Sequence, residues 1–193
     1  MSVSRETEEK LAAYADLLRK WNPHINLIAP STVDDLEHRH IEDCSQLAVL
    51  APQTGSWLDM GSGGGLPGAI IAIYRPQLQV SLLESDRRKA EFLRAVARKL
   101  ELKNVTVLAQ RIEATEALKS DNISARALAS LDRLMAYVDG HLAADGTAWF
   151  MKGKTWQSEV EEARKHWRFD LETFRSVTDP EAAILKVRKI RHV

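Results

Sequence analysis

The chain has 193 residues, is 45% hydrophobic, and carries 27 Lys plus Arg against 27 Asp plus Glu. That length and apolar content suit one domain with a real core and exclude a disordered or miniature scaffold, while zero net charge gives no global sign of a nucleic-acid partner. A single cysteine, Cys44, excludes an internal disulfide, no apolar run approaches the roughly 20 residues of a membrane helix, and the charged start MSVSRETEEK is unlike a secretion signal, so the expectation is a reducing cytoplasm and no membrane partner.

In chain order, ETEEKLAAYADLLRKW sets Leu11, Tyr14, Leu17, Leu18 and Trp21 at helical spacing, and Asn22-Pro23 reads as its end. A second helix is predicted from Ser31, where Asp34 completes a capping-box-like S-x-x-D, through LEHRHIEDCSQLAVL to Pro52. From Ser56 short apolar runs alternate with helical segments: SWLDMG then PGAIIAIYR, VSLLES then DRRKAEFLRAVARKL, VTVLAQ then RIEATEALK, ISARALA then SLDRLMAYVDGHL, TAWFMKG then TWQSEVEEARKHW. Five strand–helix units predict a parallel sheet covered on both faces. FDLETFRSV and AAILKVRKI, joined through Thr178-Asp179-Pro180-Glu181 with no helix between them, predict an antiparallel hairpin closing the sheet edge, with the cations of KVRKIRH on the solvent face of an edge strand. The expected organisation is one α/β domain over 1–193, with a helical extension over 1–52 and a Rossmann-like core over 53–193.

The first strand runs into LDMGSGGGLPG, which packs five of the chain's nine glycines into residues 61–68. A glycine-rich turn between a strand and a helix lets a ligand approach the backbone N–H groups of the helix start. No Lys follows Gly68, which disfavours a triphosphate loop, whereas Gly63–Gly68 spells G-x-G-x-x-G. Glu84 ends the second strand about twenty residues on, where a ribose diol sits in either a dinucleotide or an S-adenosylmethionine site. Asp59, placed to receive an ammonium group, and the closing hairpin favour the methyl donor over a nicotinamide.

The ordered series WNPHINLIAP, RHIEDC, LDMGSGGGLPG, LLESDRRKAEFLR, LKNVTVLAQRIE, SARALASL and MKG resembles the bacterial small-subunit ribosomal RNA guanine-N7 methyltransferases, also called glucose-inhibited division protein B, over residues 14–153. The resemblance implies a seven-stranded S-adenosylmethionine-dependent methyltransferase fold, mostly parallel with a C-terminal antiparallel hairpin and an N-terminal helical addition. It also implies methylation of one guanine of 16S ribosomal RNA, with the 30S subunit as the expected partner; the expected state of the protein is a monomer. Carried over by position, Gly61 and Leu66 match donor-contacting positions of the glycine loop, Ile112-Glu113 the pair beside the adenine and Arg126 the arginine of an S-R-A segment; with Asp59, Gly63, Gly65 and Glu84, read from the strand ends and the loop, they make the expected cofactor-binding set. Arg39, His40 and Asp43 match an R-H-x-x-D segment. The family has Asp where Glu84 stands and Ser where Cys44 and Ala125 stand.

Guanine N7 has an available lone pair and needs no base to remove a proton, so no catalytic triad or metal site is expected, and His24, His38 and His40 are poor candidates for a general base. Arg126, ending the fourth strand, is the candidate for positioning the target guanine, with an ion pair to an acid such as Glu113 as its structural alternative. His40 is the second catalytic candidate, by contact with the base or by hydrogen bonding beside Asp43. Arg39, Lys152 and Lys154 are candidate RNA contacts, with Trp156 as a stacking platform. An NAD-binding oxidoreductase and a non-catalytic RNA-binding factor are the alternative functions.

Overall fold

A computed structural model describes residues 3–193. Seven strands form one sheet in the order β3-β2-β1-β4-β5-β7-β6. The strands β1 (Gly55–Met60), β2 (Leu78–Leu83), β3 (Val105–Leu108), β4 (Ser120–Arg126) and β5 (Leu142–Lys152) run parallel, and β6 (Trp167–Arg175) and β7 (Ala183–His192) add antiparallel pairs. The sheet order reverses between β1 and β4, and in open α/β sheets the crevice at such a point receives ligands. All five predicted strand–helix strands and both hairpin strands are present. β7 lies inside the sheet, between β5 and β6, and β6 is the edge. Only Ala183–Val187 of β7 pair with β5, so beyond Val187 the basic run is paired on one side, with β6, and Lys186 and Lys189 pair across that ladder with Glu172 and Asp170, each at 2.9 Å.

The helix α1 (Arg5–Ile25) starts at Ser4, whose side chain caps Thr7 N–H, and continues through Pro23. Its last turn holds because Ile25 is buried and because Asn22 Oδ1 accepts from Leu27 and Ile28 N–H at 2.7 and 2.9 Å. These gains outweigh the single backbone bond that Pro23 removes. The predicted helix from Ser31 is also revised. Pro30–Thr32 form a 3-10 turn, Glu37–Glu42 a π-helical stretch, and only Asp43–Leu50 a regular helix, α2. Ser31 caps nothing; Thr32 instead bonds the Ala29 carbonyl and His40. After β3 the predicted helix reduces to the 3-10 turn Ile112–Ala114, because the residues that follow, up to Lys119, are mostly exposed and have no face to bury.

The remaining helices are α3 (Gly68–Tyr74), α4 (Arg87–Lys99), α5 (Leu131–His141) and α6 (Trp156–His166). One buried cluster joins Tyr14 and Leu18 of α1 and Cys44 and Leu47 of α2 to Trp57, Ile70, Phe92 and Leu93, so the N-terminal helices share a core with one face of the sheet. A second cluster, including Phe150, Leu134 and Val138, fills the other face.

Candidate donor cavity and acceptor hollow

The glycine turn is shaped by the protein as well as by any ligand. Gly61, Gly63 and Gly65 have φ of 66, 54 and 85°, a region that side chains other than glycine rarely adopt. A β-carbon on Gly61 would lie 2.6 Å from Leu128 Cδ1, and one on Gly68 would lie 2.6 Å from Asp59 Cβ. Two outside groups anchor the turn: Glu84 Oε2 accepts from Gly63 N–H at 2.8 Å, and the Tyr14 hydroxyl of α1 donates to Gly64 O at 2.6 Å.

A cavity of about 760 Å³ opens above this turn. It gathers Gly61, Gly63, Leu66, Glu84, Ile112, Glu113, His40 and Arg126 from the sequence-predicted set. Glu84, 8% exposed, spends one acceptor site of each oxygen on backbone N–H groups, of Gly63 and of Asp86 at 2.7 Å, and its other lone pairs remain at the cavity wall. Glu113 accepts from Tyr137 Oη at 3.1 Å, and Arg133 donates to the same hydroxyl at 2.8 Å.

Two predicted cofactor residues are not on this wall. Asp59 is 1% exposed; its oxygens accept from Ser124 Oγ at 2.6 Å and from Gly68 N–H at 3.2 Å, so it ties β1 to β4 and to the start of α3. Burial raises its carboxyl to about 6. Gly65 faces α3 and α4, where a β-carbon would meet Ala69 Cβ at 2.8 Å.

Arg126, at the end of β4, is clamped by the 39–44 segment and not by Glu113. Its guanidinium donates to His40 Nδ1 at 2.9 Å, to Arg39 O at 3.2 Å and to Cys44 Sγ at 3.3 Å, and lies 3.5 Å from Asp43 Oδ2. The Thr32 hydroxyl hydrogen goes to Ala29 O, so Thr32 Oγ1 accepts from His40 Nε2–H at 2.8 Å and leaves Nδ1 as the acceptor for Arg126, a tautomer assigned from this network. Burial, with Arg126 and Arg39 nearby, lowers His40 to about 4; burial pushes the Cys44 thiol up to about 12. Ala127 follows with φ 51°, strained for a residue with a side chain.

On the far side of Arg126 lies a second hollow of about 550 Å³ that shares His40, Arg126 and Ala127 with the first. Arg39 and Lys152 line it, together with the β6–β7 turn. Lys152 is not a free cation: its Nζ sits 2.6 Å from Glu159 Oε2 and donates to Ala129 O at 2.9 Å. Lys154 is exposed and lines neither hollow, and Trp156 is half-buried against the second core cluster and also lines neither.

The family model described as rRNA small subunit methyltransferase G matches residues 7–185. The chain belongs to this family. A ribosomal RNA small subunit methyltransferase G of Paracoccus denitrificans is 58% identical over 193 residues, covering 100% of both chains. The fold is shared more widely: M. jannaschii TYW2 in complex with AdoMet superposes with a TM-score of 0.60 at 14% identity, over 80% of this chain and 76% of that one. A SAM-dependent methyltransferase from Aquifex aeolicus gives 0.61 at 13%, over 83% and 98%. The chain is thus a small-subunit rRNA methyltransferase with S-adenosyl-L-methionine as its donor, and neither the oxidoreductase nor the non-catalytic reading is favoured.

Sequence reasoning missed the groups that hold the site from outside: Tyr14, Asn22, the Leu27–Pro30 wall, Arg133 and Tyr137. A signal existed for Tyr14, since a tyrosine in a buried helical stripe needs a partner for its hydroxyl.

Proposed function

We propose that the chain methylates N7 of one guanine of 16S ribosomal RNA, acting as a monomeric, single-domain cytoplasmic enzyme on the 30S subunit. The observation that carries this reading is that two hollows meet at Arg126, Ala127 and His40, which line both. The first cavity fits the donor in size and chemistry. Its bare glycine backbone, the remaining acceptor sites of Glu84 for a ribose diol and the Ile112–Glu113 edge for adenine would hold it. Asp59 is left out of that set because it is buried away from the wall. When bound, S-adenosyl-L-methionine supplies an electrophilic methyl on a sulfonium sulfur.

The second hollow is then the place for the target base, and this meeting point suits an acceptor that needs no deprotonation. His40, at a pKa of about 4 with both nitrogens engaged, and Cys44, at about 12, are both far from the near-neutral value that a general base requires. Arg126 Nη2 spends its hydrogens on His40 and Arg39 O and Nη1 one on Cys44, so Arg126 offers a phosphate or the acceptor edge of guanine its charge and its remaining N–H groups. The expected catalytic contribution is positional, up to roughly 7–11 kcal/mol in ideal geometry. The test is incubation with labelled donor and 30S subunits that lack the modification. Label recovered as 7-methylguanosine in 16S rRNA supports the reading; label on another atom, or none, overturns it.

A further inference from the structure

The outward face of α4 concentrates positive charge in a chain whose formal net charge is zero. Its thirteen residues contain six Lys and Arg and one Glu. The inward positions Ala90, Phe92, Leu93 and Val96 are buried, whereas Arg87, Arg88, Arg98 and Lys99 are exposed. Among the described residues, Arg87, Arg98 and Lys99 have no acidic group within 4.0 Å, and Arg88 lies 3.7 Å from Asp86. The basic strand β7 differs, because acids on β6 pair with two of its lysines.

Folding alone does not account for this placement. Arg87, Arg88 and Lys89 occupy the first turn, at the positive end of the helix dipole, where acidic residues are the stabilising choice; the acid at that end is the N-cap Asp86, whose Oδ1 accepts from Arg88 and Lys89 N–H, and the turn itself holds none. The face also begins beside the donor cavity, whose lining includes Lys89. Trp21 packs on Phe92 with ring centroids 5.7 Å apart, which sets the last turn of α1, with exposed Lys20, against α4.

We propose that this face, Arg87, Arg88, Arg98 and Lys99, docks the phosphate backbone of ribosomal RNA flanking the methylated guanine, an inference that rests on the rRNA reading above. The partner is RNA and not protein because the face offers only charge, while the core of a protein interface is depleted of it. A helix of this length presents its cations along about 20 Å, enough to follow several phosphates.

The experiment compares wild type with the Arg87→Gln/Arg88→Gln/Arg98→Gln/Lys99→Gln variant, using unmodified 30S subunits and 16S rRNA as probes across a range of salt. Lys89 is left intact because it lines the donor cavity. Each lost phosphate contact removes about 0.7–0.9 from the slope of log affinity against log salt, so the variant should lose roughly 3 units of slope, and at least about tenfold in affinity at low salt. The KM for subunits should rise while the rate at saturating subunits, donor affinity and unfolding temperature hold. Unchanged affinity and slope overturn the proposal, as does a loss shared by donor binding or thermal stability. An equal loss in an Arg188→Gln/Arg191→Gln control on β7 also overturns it, by showing general charge at work. A wild-type protein that fails to methylate subunits would instead defeat the proposed function itself.

Discussion

Replacing Arg126 should damage both stability and methyl transfer, and the two losses separate cleanly. The Arg126 and Asp43 side chains are 19% and 15% exposed. Breaking a buried ion pair by removing one partner costs about 3–5 kcal/mol. Here Asp43 Oδ1 keeps donors from Ser176 and Thr178, both at 3.2 Å, and both charges retain some water, which lowers the figure. Arg126→Ala is therefore expected to cost about 2–3 kcal/mol, which in a chain of this size is a fall of roughly 5–10 °C in Tm. Loss of the guanidinium that lines the second hollow and fixes His40 should also lower single-turnover methylation per folded molecule by about 10²-fold, the scale of an ångström of misplacement. Arg126→Lys keeps the charge but cannot reach Asp43, His40 and the Arg39 carbonyl together, so it should recover about half of the Tm and little of the rate. The assay is single-turnover methylation of 30S subunits, well below the Tm of each variant, beside thermal unfolding. A stable Arg126→Ala protein with a wild-type single-turnover rate, or an Arg126→Lys protein restored in both measurements, would refute this reasoning.

Glu84→Ala removes the carboxylate that holds Gly63 and Asp86 N–H and faces the donor cavity, so donor affinity measured by calorimetry should fall roughly ten- to hundredfold, in line with loss of charge-assisted hydrogen bonds; an unchanged Kd would take Glu84 out of the site. Asp59 predicts a pH dependence. Its folded pKa of about 6 lies above the ordinary aspartate value of 3.8, so between these values the folded state binds a proton that the unfolded state does not, and stability falls as pH rises through the window. Across pH 4 to 7 wild type should lose up to roughly 3 kcal/mol relative to Asp59→Asn, which cannot ionise, and a difference that is flat with pH would contradict the assigned burial of this carboxyl.

Periodicity in the sequence was enough to place all seven strands, because each is a short apolar run bounded by turn residues, and the glycine-rich turn after β1 marked the crevice where the cavity lies. The same local logic failed where the stabilising partner is remote. Pro23 reads as a helix end until Asn22 is seen holding Leu27 and Ile28, and RIEATEALK has helix-forming residues but no surface to cover. Asp59 and Lys152 carry the right charge for ligands, yet the fold spends them internally, on Ser124 with Gly68 and on Glu159. The identity of Arg126 as the end of β4 was legible; that its guanidinium would meet residues 39–44 was not. Sequence spacing encodes which face of an element is apolar, and sheet order alone decides which distant polar groups arrive at the same point. That is why the donor turn could be read along the chain, while the place where the two hollows meet exists only once β4 and the N-terminal helices pack together.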